Sequence, residues 1–254
     1  MKITFLGTGT SQGIPVIGSD HPVCKSTDPR DKRLRVSVMV EWDQYRYVID
    51  CGPDFRQQML REEVSAINGI LLTHEHSDHT AGIDDIRPFY FRQGNVPFFG
   101  LKRVFEALHE RFAYIFETEN KYPGAPTIEE IEIDKHSTFE LGGQKVVPVE
   151  VWHAELSVLG FRIGDFTYLT DVKTISEEEI EKIKGSKVLV LNALRHKPHV
   201  SHLNISEALA LVDKVKPERT YFTHISHLMG FHAEVEPTLP ENVFLAYDGL
   251  KIEI

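Results

Sequence analysis

Thr73-His74-Glu75-His76-Ser77-Asp78-His79 packs three imidazoles and two carboxylates into the positions from His74 to His79. The aliphatic run Ile70-Leu71-Leu72 leads into it, and Thr80-Ala81-Gly82-Ile83 leads out and is expected to open a helix. On a strand or extended turn, residues two apart face the same way, so His74 and His76 are placed to grip one ion. Asp78 and His79 come where the chain turns and aim at a neighbouring spot, close enough for a second ion. Imidazole and carboxylate donors suit zinc, manganese or iron.

Working outward, further candidate ligands fall at the ends of strand-like runs. His74 follows Ile70–Thr73, His153 follows Val146–Trp152, Asp171 follows Thr167–Thr170 and His224 follows Thr220–Thr223. Any one of these histidines, taken alone, reads more readily as a packed or solvated side chain. Their shared position at strand ends is what one rim of a sheet produces. A carboxylate between two ions can bridge them, and Asp171 is the candidate; two ions about 3.5–4 Å apart clamp a substrate oxygen.

The two halves of the chain look alike in plan. In the first, strands are expected at Ile3–Leu6, Val36–Glu41, Arg46–Asp50 and Ile70–Thr73, with a short helix over Asp54–Leu60. Leu101, Val104, Phe105, Leu108, Phe112, Ile115 and Phe116 recur at helical spacing and predict a helix over 101–116. In the second half, strands are expected at Lys145–Trp152, Val158–Ile163, Thr167–Thr170, Lys187–Leu191 and Thr220–Thr223. A helix is expected after Ser176, with Glu179 completing a capping box and Gly185 ending it, and another over Ile205–Val215 after Asn204. Tyr47-Val48-Ile49-Asp50 and Tyr168-Leu169-Thr170-Asp171 hold matching places. Strands interleaved with helices, too many for one layer, indicate an α/β sandwich. The reading is one domain over 1–254 with two loosely similar halves, about 1–140 and 141–254.

Composition narrows the function. A formal net charge of −10 disfavours a broad grip on long nucleic acid, which needs a basic footprint. It leaves room for a small anionic substrate held by metal ions, because the ions reverse the local field. With only Cys24 and Cys51, a disulfide framework is not expected. Met1 to Gly7 is strand-like and reaches glycine too early for a signal peptide, and no apolar run approaches the roughly 18 residues of a membrane span. A cytoplasmic location without membrane attachment is expected, and a homodimer is compatible with the chain.

The motif Thr-His-x-His-x-Asp-His-x-x-Gly, here Thr73 to Gly82, resembles the signature of the metallo-β-lactamase fold superfamily of metal-dependent hydrolases, and the resemblance covers the whole chain. The opening Phe5-Leu6-Gly7-Thr8-Gly9-Thr10 and the run Asp28 to Arg35 are more similar to the branch of PhnP-type phosphodiesterases and, further off, tRNase Z. The resemblance implies a four-layer αβ/βα sandwich, two mixed sheets flanked by helices, with a binuclear site. His74, His76 and His153 would hold one divalent ion, Asp78, His79 and His224 the other, and Asp171 would bridge. Asp50 matches a residue with a supporting role behind the ligands.

Two more features follow from the branch. PhnP-type proteins carry Cys-x-Cys-x-x-Cys and a later histidine around a structural zinc. Here Ser19, His21 and Cys24 stand at those cysteines and His227 stands at the histidine. His21, Cys24 and His227 are thus a reduced ligand set for one additional structural zinc, with water or Asp20 to complete it. Second, the loop Arg195 to Asn204 is rich in histidine, and His202 matches the residue proposed to protonate the leaving group in such enzymes. His196 and His199 read as solvated, and His109, His136 and His232 as non-catalytic. The basic run Arg30 to Arg35 either meets phosphate or pairs with the chain's many acids. Asp78 and His202 are therefore the catalytic candidates. The expected activity is hydrolysis of small or cyclic phosphodiesters by water activated on two zinc, manganese or iron ions. Thioester or lactone hydrolysis on the same metals is the alternative, and tRNA 3′ processing a more distant one.

Overall fold

The strand-forming runs pair into two sheets in the computed structural model, which describes residues 1–254. The first contains β1 (Lys2–Gly7), β2 (Ser37–Trp42), β3 (Tyr45–Ile49), β4 (Gly69–Leu71), β5 (Val96–Gly100) and β6 (Ile128–Glu132). The second contains β7 (Phe139–Leu141), β8 (Gln144–His153), β9 (Leu156–Ile163), β10 (Phe166–Leu169), β11 (Thr174–Ile175), β12 (Val188–Asn192), β13 (Arg219–Thr223) and β14 (Val243–Leu245). The last strand, β15 (Lys251–Glu253), returns to the first sheet beside β1, giving the order β15-β1-β2-β3-β4-β5-β6. The second sheet runs β11-β8-β9-β10-β12-β13-β14, with β7 also on β8. Both mix directions: β1 to β3 are antiparallel and β3 to β6 parallel, while β8, β9 and β10 are antiparallel and β10, β12, β13 and β14 parallel.

Helices cover both outer faces: α1 (Phe55–Arg61), α2 (Ser77–Thr80), α3 (Arg87–Gln93), α4 (Lys102–Arg111), α5 (Ala113–Phe116), α6 (Glu177–Ile183), α7 (Ile205–Val215) and α8 (His232–Val235). Because side chains alternate across a strand, each sheet buries two apolar sets. Ile3, Phe5, Val38 and Val40 meet Val146, Phe161, Ile163 and Tyr168 between the sheets. Val48, Ile70 and Phe98 pack outward on Phe55 of α1, Phe89 of α3 and Phe105 of α4. Val149, Leu189 and Leu191 pack outward on Ile180 of α6 and Leu211 of α7. The architecture is the expected sandwich, two mixed sheets flanked by helices. No helix is long and apolar enough to cross a membrane.

Several boundaries differ from expectation for local reasons. The helix expected over 101–116 breaks at Phe112, whose φ of −124° and ψ of 39° end α4 before α5 resumes. The break leaves Ile115 buried while Phe112 and Phe116 are only partly covered. The helix expected to open at Thr80 instead ends there, having started at Ser77. Ser176 caps α6 through Glu179 N–H, but the Glu179 carboxylate accepts from Glu150 N–H at 2.8 Å instead of closing the box. Asn204 and Glu207 do form a reciprocal capping box on α7.

Three of the strand ends that carry polar residues share a backbone feature. Asp50 after β3, Asp171 after β10 and His224 after β13 have φ of 64°, 54° and 54°. This left-handed region is uncommon outside glycine and marks a sharp local turn. The two aspartates occupy the matching places noted in the two halves. Behind them the chain is tightly apposed: a Cβ on Gly52 would lie 2.0 Å from the Asp78 carbonyl oxygen, and one on Gly82 2.2 Å from that of Gly52. Only glycine fits at either point, so the turn after β3 and α2 are locked together.

Candidate metal centre

The strand-end residues converge on Asp171. The ligand atoms of Asp78, His79, Asp171 and His224 all lie within 4.8 Å of one another, and those of His153, Asp171 and His202 do likewise. His79 Nε2 is 2.7 Å from Asp171 Oδ2 and 3.3 Å from Asp78 Oδ2. His224 Nε2 is 3.0 Å from Asp171 Oδ1 and 3.6 Å from Asp78 Oδ2. Neither buried Nε2 has a hydrogen-bond partner despite these short distances. Polar atoms this close that do not meet along a hydrogen-bond direction are arranged as lone pairs converging on a shared point. An unpaired buried polar group otherwise costs about 1–3 kcal/mol. Nitrogen and carboxylate donors so placed fit a divalent transition ion.

A second group adjoins the first, with the His74 and His79 ring centroids 4.1 Å apart. His74 Nε2 is 3.3 Å from Asp171 Oδ2 and 2.9 Å from His76 Nδ1. The His74, His76 and His153 rings form a cluster, with centroids 4.6 Å (74–76), 5.4 Å (76–153) and 6.0 Å (74–153) apart. His153 Nδ1 donates to the Ser201 carbonyl oxygen at 2.8 Å, which leaves Nε2 free to ligate. His202 stands between the groups: Nε2 is 2.9 Å from Asp171 Oδ1, and its ring is 4.5 Å from His153 and stacked 4.9 Å from His224. Its Nδ1 is 3.2 Å from His199 Nδ1, so His199, expected to be solvated, packs against it.

Asp50 braces the centre from behind. Its Oδ2 accepts from His79 Nδ1 at 2.7 Å, and its two oxygens accept from Thr73 N–H and Oγ1, each at 2.9 Å. A carboxylate behind a ligating imidazole fixes the ring's tautomer and orientation.

The electrostatics are those of a cation site. Burial alone would lower His79, but the Asp78, Asp171 and Asp50 carboxylates hold it well above the ordinary histidine range. His224, also opposed by burial, is raised to about 9 by Asp171 and Asp78. Burial would raise the Asp171 carboxyl, yet the His224 and His79 charges hold it well below its ordinary value. Burial, and then the neighbouring His79 charge, push His74 well down. Burial pushes His202 down to about 4, against its bond to Asp171. The carboxylates thus draw positive charge into the pocket, and a divalent ion would displace the imidazolium protons as it bound.

The structure places the remaining candidates elsewhere. The His21 and His227 rings are adjacent, with centroids 4.9 Å apart. Cys24 is buried, and its Sγ lies 3.5 Å from Val16 N. Asp20 does not turn toward them; it stands in solvent and pairs with Lys25 Nζ at 2.7 Å. The basic run is spent inside the protein. Arg30 pairs with Asp28, Arg35 with Asp54, and the buried Arg33 donates to Thr8 Oγ1 and the Ala246 carbonyl oxygen. His232, read as non-catalytic, packs on Arg33 with Nδ1 3.2 Å from Nη2. Sequence reasoning missed Thr73 Oγ1, 3.0 Å from His74 Nδ1, and the Ser201 carbonyl oxygen behind His153. A threonine directly before the first histidine was the available signal for the first; nothing local marks the second.

A family profile described as a beta-lactamase superfamily domain matches residues 45–225. An octanoyltransferase of Porphyromonas gingivalis is 36% identical over 253 residues, 99% of this chain and 51% of that protein. A ribonuclease Z of Methanococcus maripaludis is 35% identical over 85 residues, 33% of this chain and 22% of that protein. The chain thus spans about half the length of the first relative, and the match to the second is shorter still. A solved structure described as a new diphosphatase from the PhnP family superposes with a TM-score of 0.92 at 42% identity, covering 100% of this chain and 97% of that one. With its two sheets, its histidine-aspartate pocket and this profile match, the chain belongs to the beta-lactamase superfamily and has the metallo-β-lactamase fold.

Proposed function

We propose that this protein is a binuclear metal-dependent phosphodiesterase acting on small or cyclic phosphodiesters. His74, His76 and His153 would hold one ion, Asp78, His79 and His224 the other, with Asp171 shared between them. The ions, when bound, supply Lewis acidity toward phosphoryl oxygens and make water a competent nucleophile near neutral pH. The chain's own residues do the rest. Asp50 holds His79 in one tautomer through Nδ1. His202, partly exposed at the pocket's rim, carries a proton on Nε2 to the leaving oxygen. Burial lowers its proton affinity.

The observation that carries this reading is the placement of His202, with Nε2 at 2.9 Å from the carboxylate shared by both groups. A proton donor so placed serves a substrate whose leaving oxygen departs beside the two-ion site. The 42% identity to a diphosphatase of the PhnP family supports a phosphoryl substrate and adds diphosphate diesters to the candidates. The test is metal analysis followed by assay of the same sample. Its panel is bis(p-nitrophenyl) phosphate, 2′,3′-cyclic nucleotides, a diphosphate diester, a phosphomonoester, a lactone, a glutathione thioester and a β-lactam. Diester turnover that vanishes on chelation and returns with metal is expected, with monoester and β-lactam poor. Full diester turnover in metal-free protein defeats the reading.

A second reading, thioester hydrolysis, is favoured by the octanoyltransferase name of the relative that matches along nearly the whole chain. No diester turnover with a loaded site, together with thioester turnover, would select it. A tRNA substrate is less well supported: the net charge of −10 offers no broad footprint for a long polyanion.

We further propose that His21, Cys24 and His227 hold an additional zinc between the 3₁₀ turns at Pro22–Lys25 and His227–Met229. Cys24→Ala should lower the zinc content by one ion per chain. It should lower the thermal unfolding temperature more than turnover, because such a site stabilises the fold rather than touching substrate. Unchanged zinc content in Cys24→Ala would end this proposal.

A further inference from the structure

Glu75 lies between His74 and His76, and its carboxylate is engaged away from Asp171. Its carboxylate is taken by Arg103 of α4, which donates from Nη1 to both oxygens. The other terminal nitrogen of the same guanidinium donates to the Ser157 carbonyl oxygen. Ser157 faces Trp152 in the β8–β9 ladder, adjacent to the His153–Leu156 pair. One side chain therefore ties the loop of His74 and His76, on the rim of the first sheet, to the hairpin that presents His153 on the second. The main chain adds a bond at the same seam, from Leu159 N–H to the Thr73 carbonyl oxygen at 3.0 Å. Arg111, two helical turns beyond Arg103, donates to the Glu75 carbonyl oxygen at 2.6 Å. The helix can hold this position because Val104, Phe105 and Leu108 anchor its other side in the core of the first sheet.

We propose that Arg103 is a positioning residue for one of the two ions. It keeps His153 in register with His74 and His76 across the junction of the sheets. The Asp78, His79 and His224 group does not depend on it, since Asp50 and the tight Gly52–Asp78 apposition brace that side. A planar guanidinium can hold a carboxylate and a carbonyl at once in fixed directions; an ammonium at the same place is a point charge that cannot. The interaction is thus geometric, and Arg103→Lys, which keeps the charge, should fail to replace it.

The inference rests on the two-ion reading, and the experiment separates the two. Stepwise zinc affinities are measured by competition with a chromophoric chelator for wild type, Arg103→Lys, Arg103→Ala and Glu75→Gln. Thermal unfolding of the metal-free proteins is recorded alongside. All proteins carry Cys24→Ala so that only the catalytic-site ions are counted; fewer than two ions bound to the otherwise wild-type chain overturns the two-ion reading and this inference with it. With two ions in wild type, each variant is expected to weaken one ion by about 10–100-fold, the loss typical when a group supporting metal ligands is removed, and to leave the other unchanged. The metal-free unfolding temperature of Arg103→Lys should match wild type. The double variant Arg103→Lys/Glu75→Gln should be no worse than either single, because both remove one interaction. Unchanged affinities, or equal weakening of both ions, would show Arg103 to be a general packing residue. If Arg103→Ala does not fold, Arg103→Lys and Glu75→Gln carry the same decision.

Discussion

Asp171→Ala should leave a folded protein with almost no hydrolytic activity and a depleted metal centre. Asp171 is the one residue common to both groups of converging ligand atoms, and its carboxylate is within 3.3 Å of His74, His79, His202 and His224. Removing it would delete the proposed bridge and leave buried imidazoles facing one another with less negative charge between them. Two-metal assistance is worth several kcal/mol of transition-state stabilisation, so a fall in kcat of roughly 10³-fold or more is expected at about 1.36 kcal/mol per tenfold. Metal content per chain, circular dichroism and kcat on bis(p-nitrophenyl) phosphate check this together. Asp171→Asn should fall nearly as far, since the amide keeps the shape but not the charge. Retention of both ions with normal turnover would remove Asp171 from the centre and break the proposed assignment.

The second large effect is selective. His202→Ala should slow an alkyl phosphodiester by about 10²–10⁴-fold, the usual worth of general-acid help. It should slow a p-nitrophenyl diester only slightly, because that leaving group departs without a proton. The structure makes the experiment readable. His202 contacts Asp171 from the rim, with 12% of its side chain exposed, whereas His79 and His224 are buried beneath it. Its loss should therefore spare metal content, which is measured on the same sample. Equal losses on both diesters would assign His202 to binding or orientation. Loss of an ion would instead place it among the ligands, with His153 and Asp171, as their short separations also permit.

Much of the centre was legible because its spacing is local. Thr73 to His79 carries its ligands within one turn of chain, so residue type and spacing alone declare the chemistry. Asp171, His153 and His224 were legible by a weaker rule, that each follows a β-rich run. A strand's length and direction place its end on a rim, and three of the expected runs appear as β8, β10 and β13. The number of strand-like runs, interleaved with helices and too many for one layer, also indicated a sandwich of two sheets.

Elsewhere the tertiary structure decided. Arg33 sits in a basic run that read equally as a phosphate contact or as ion pairs. Its burial beside Thr8, Ala246 and His232 comes from parts of the chain more than twenty residues away on either side. The helix over 101–116 has unbroken apolar spacing, yet Phe112 breaks it, and no periodicity encodes that turn. Asp20 was read, as an alternative to water, as the residue completing the His21, Cys24 and His227 set, but Lys25 claims it. Nothing in the sequence near Arg103 points to Glu75 or Ser157, which only the packing of α4 against the junction of two sheets brings within reach. What the sequence by itself determined is the set of donors and the periodic patterns that carry them to a rim, because both are properties of short stretches of chain. Which donor meets which, and what stands behind each, was decided by contacts between distant segments, whose geometry depends on how the two sheets close and not on any spacing along the chain.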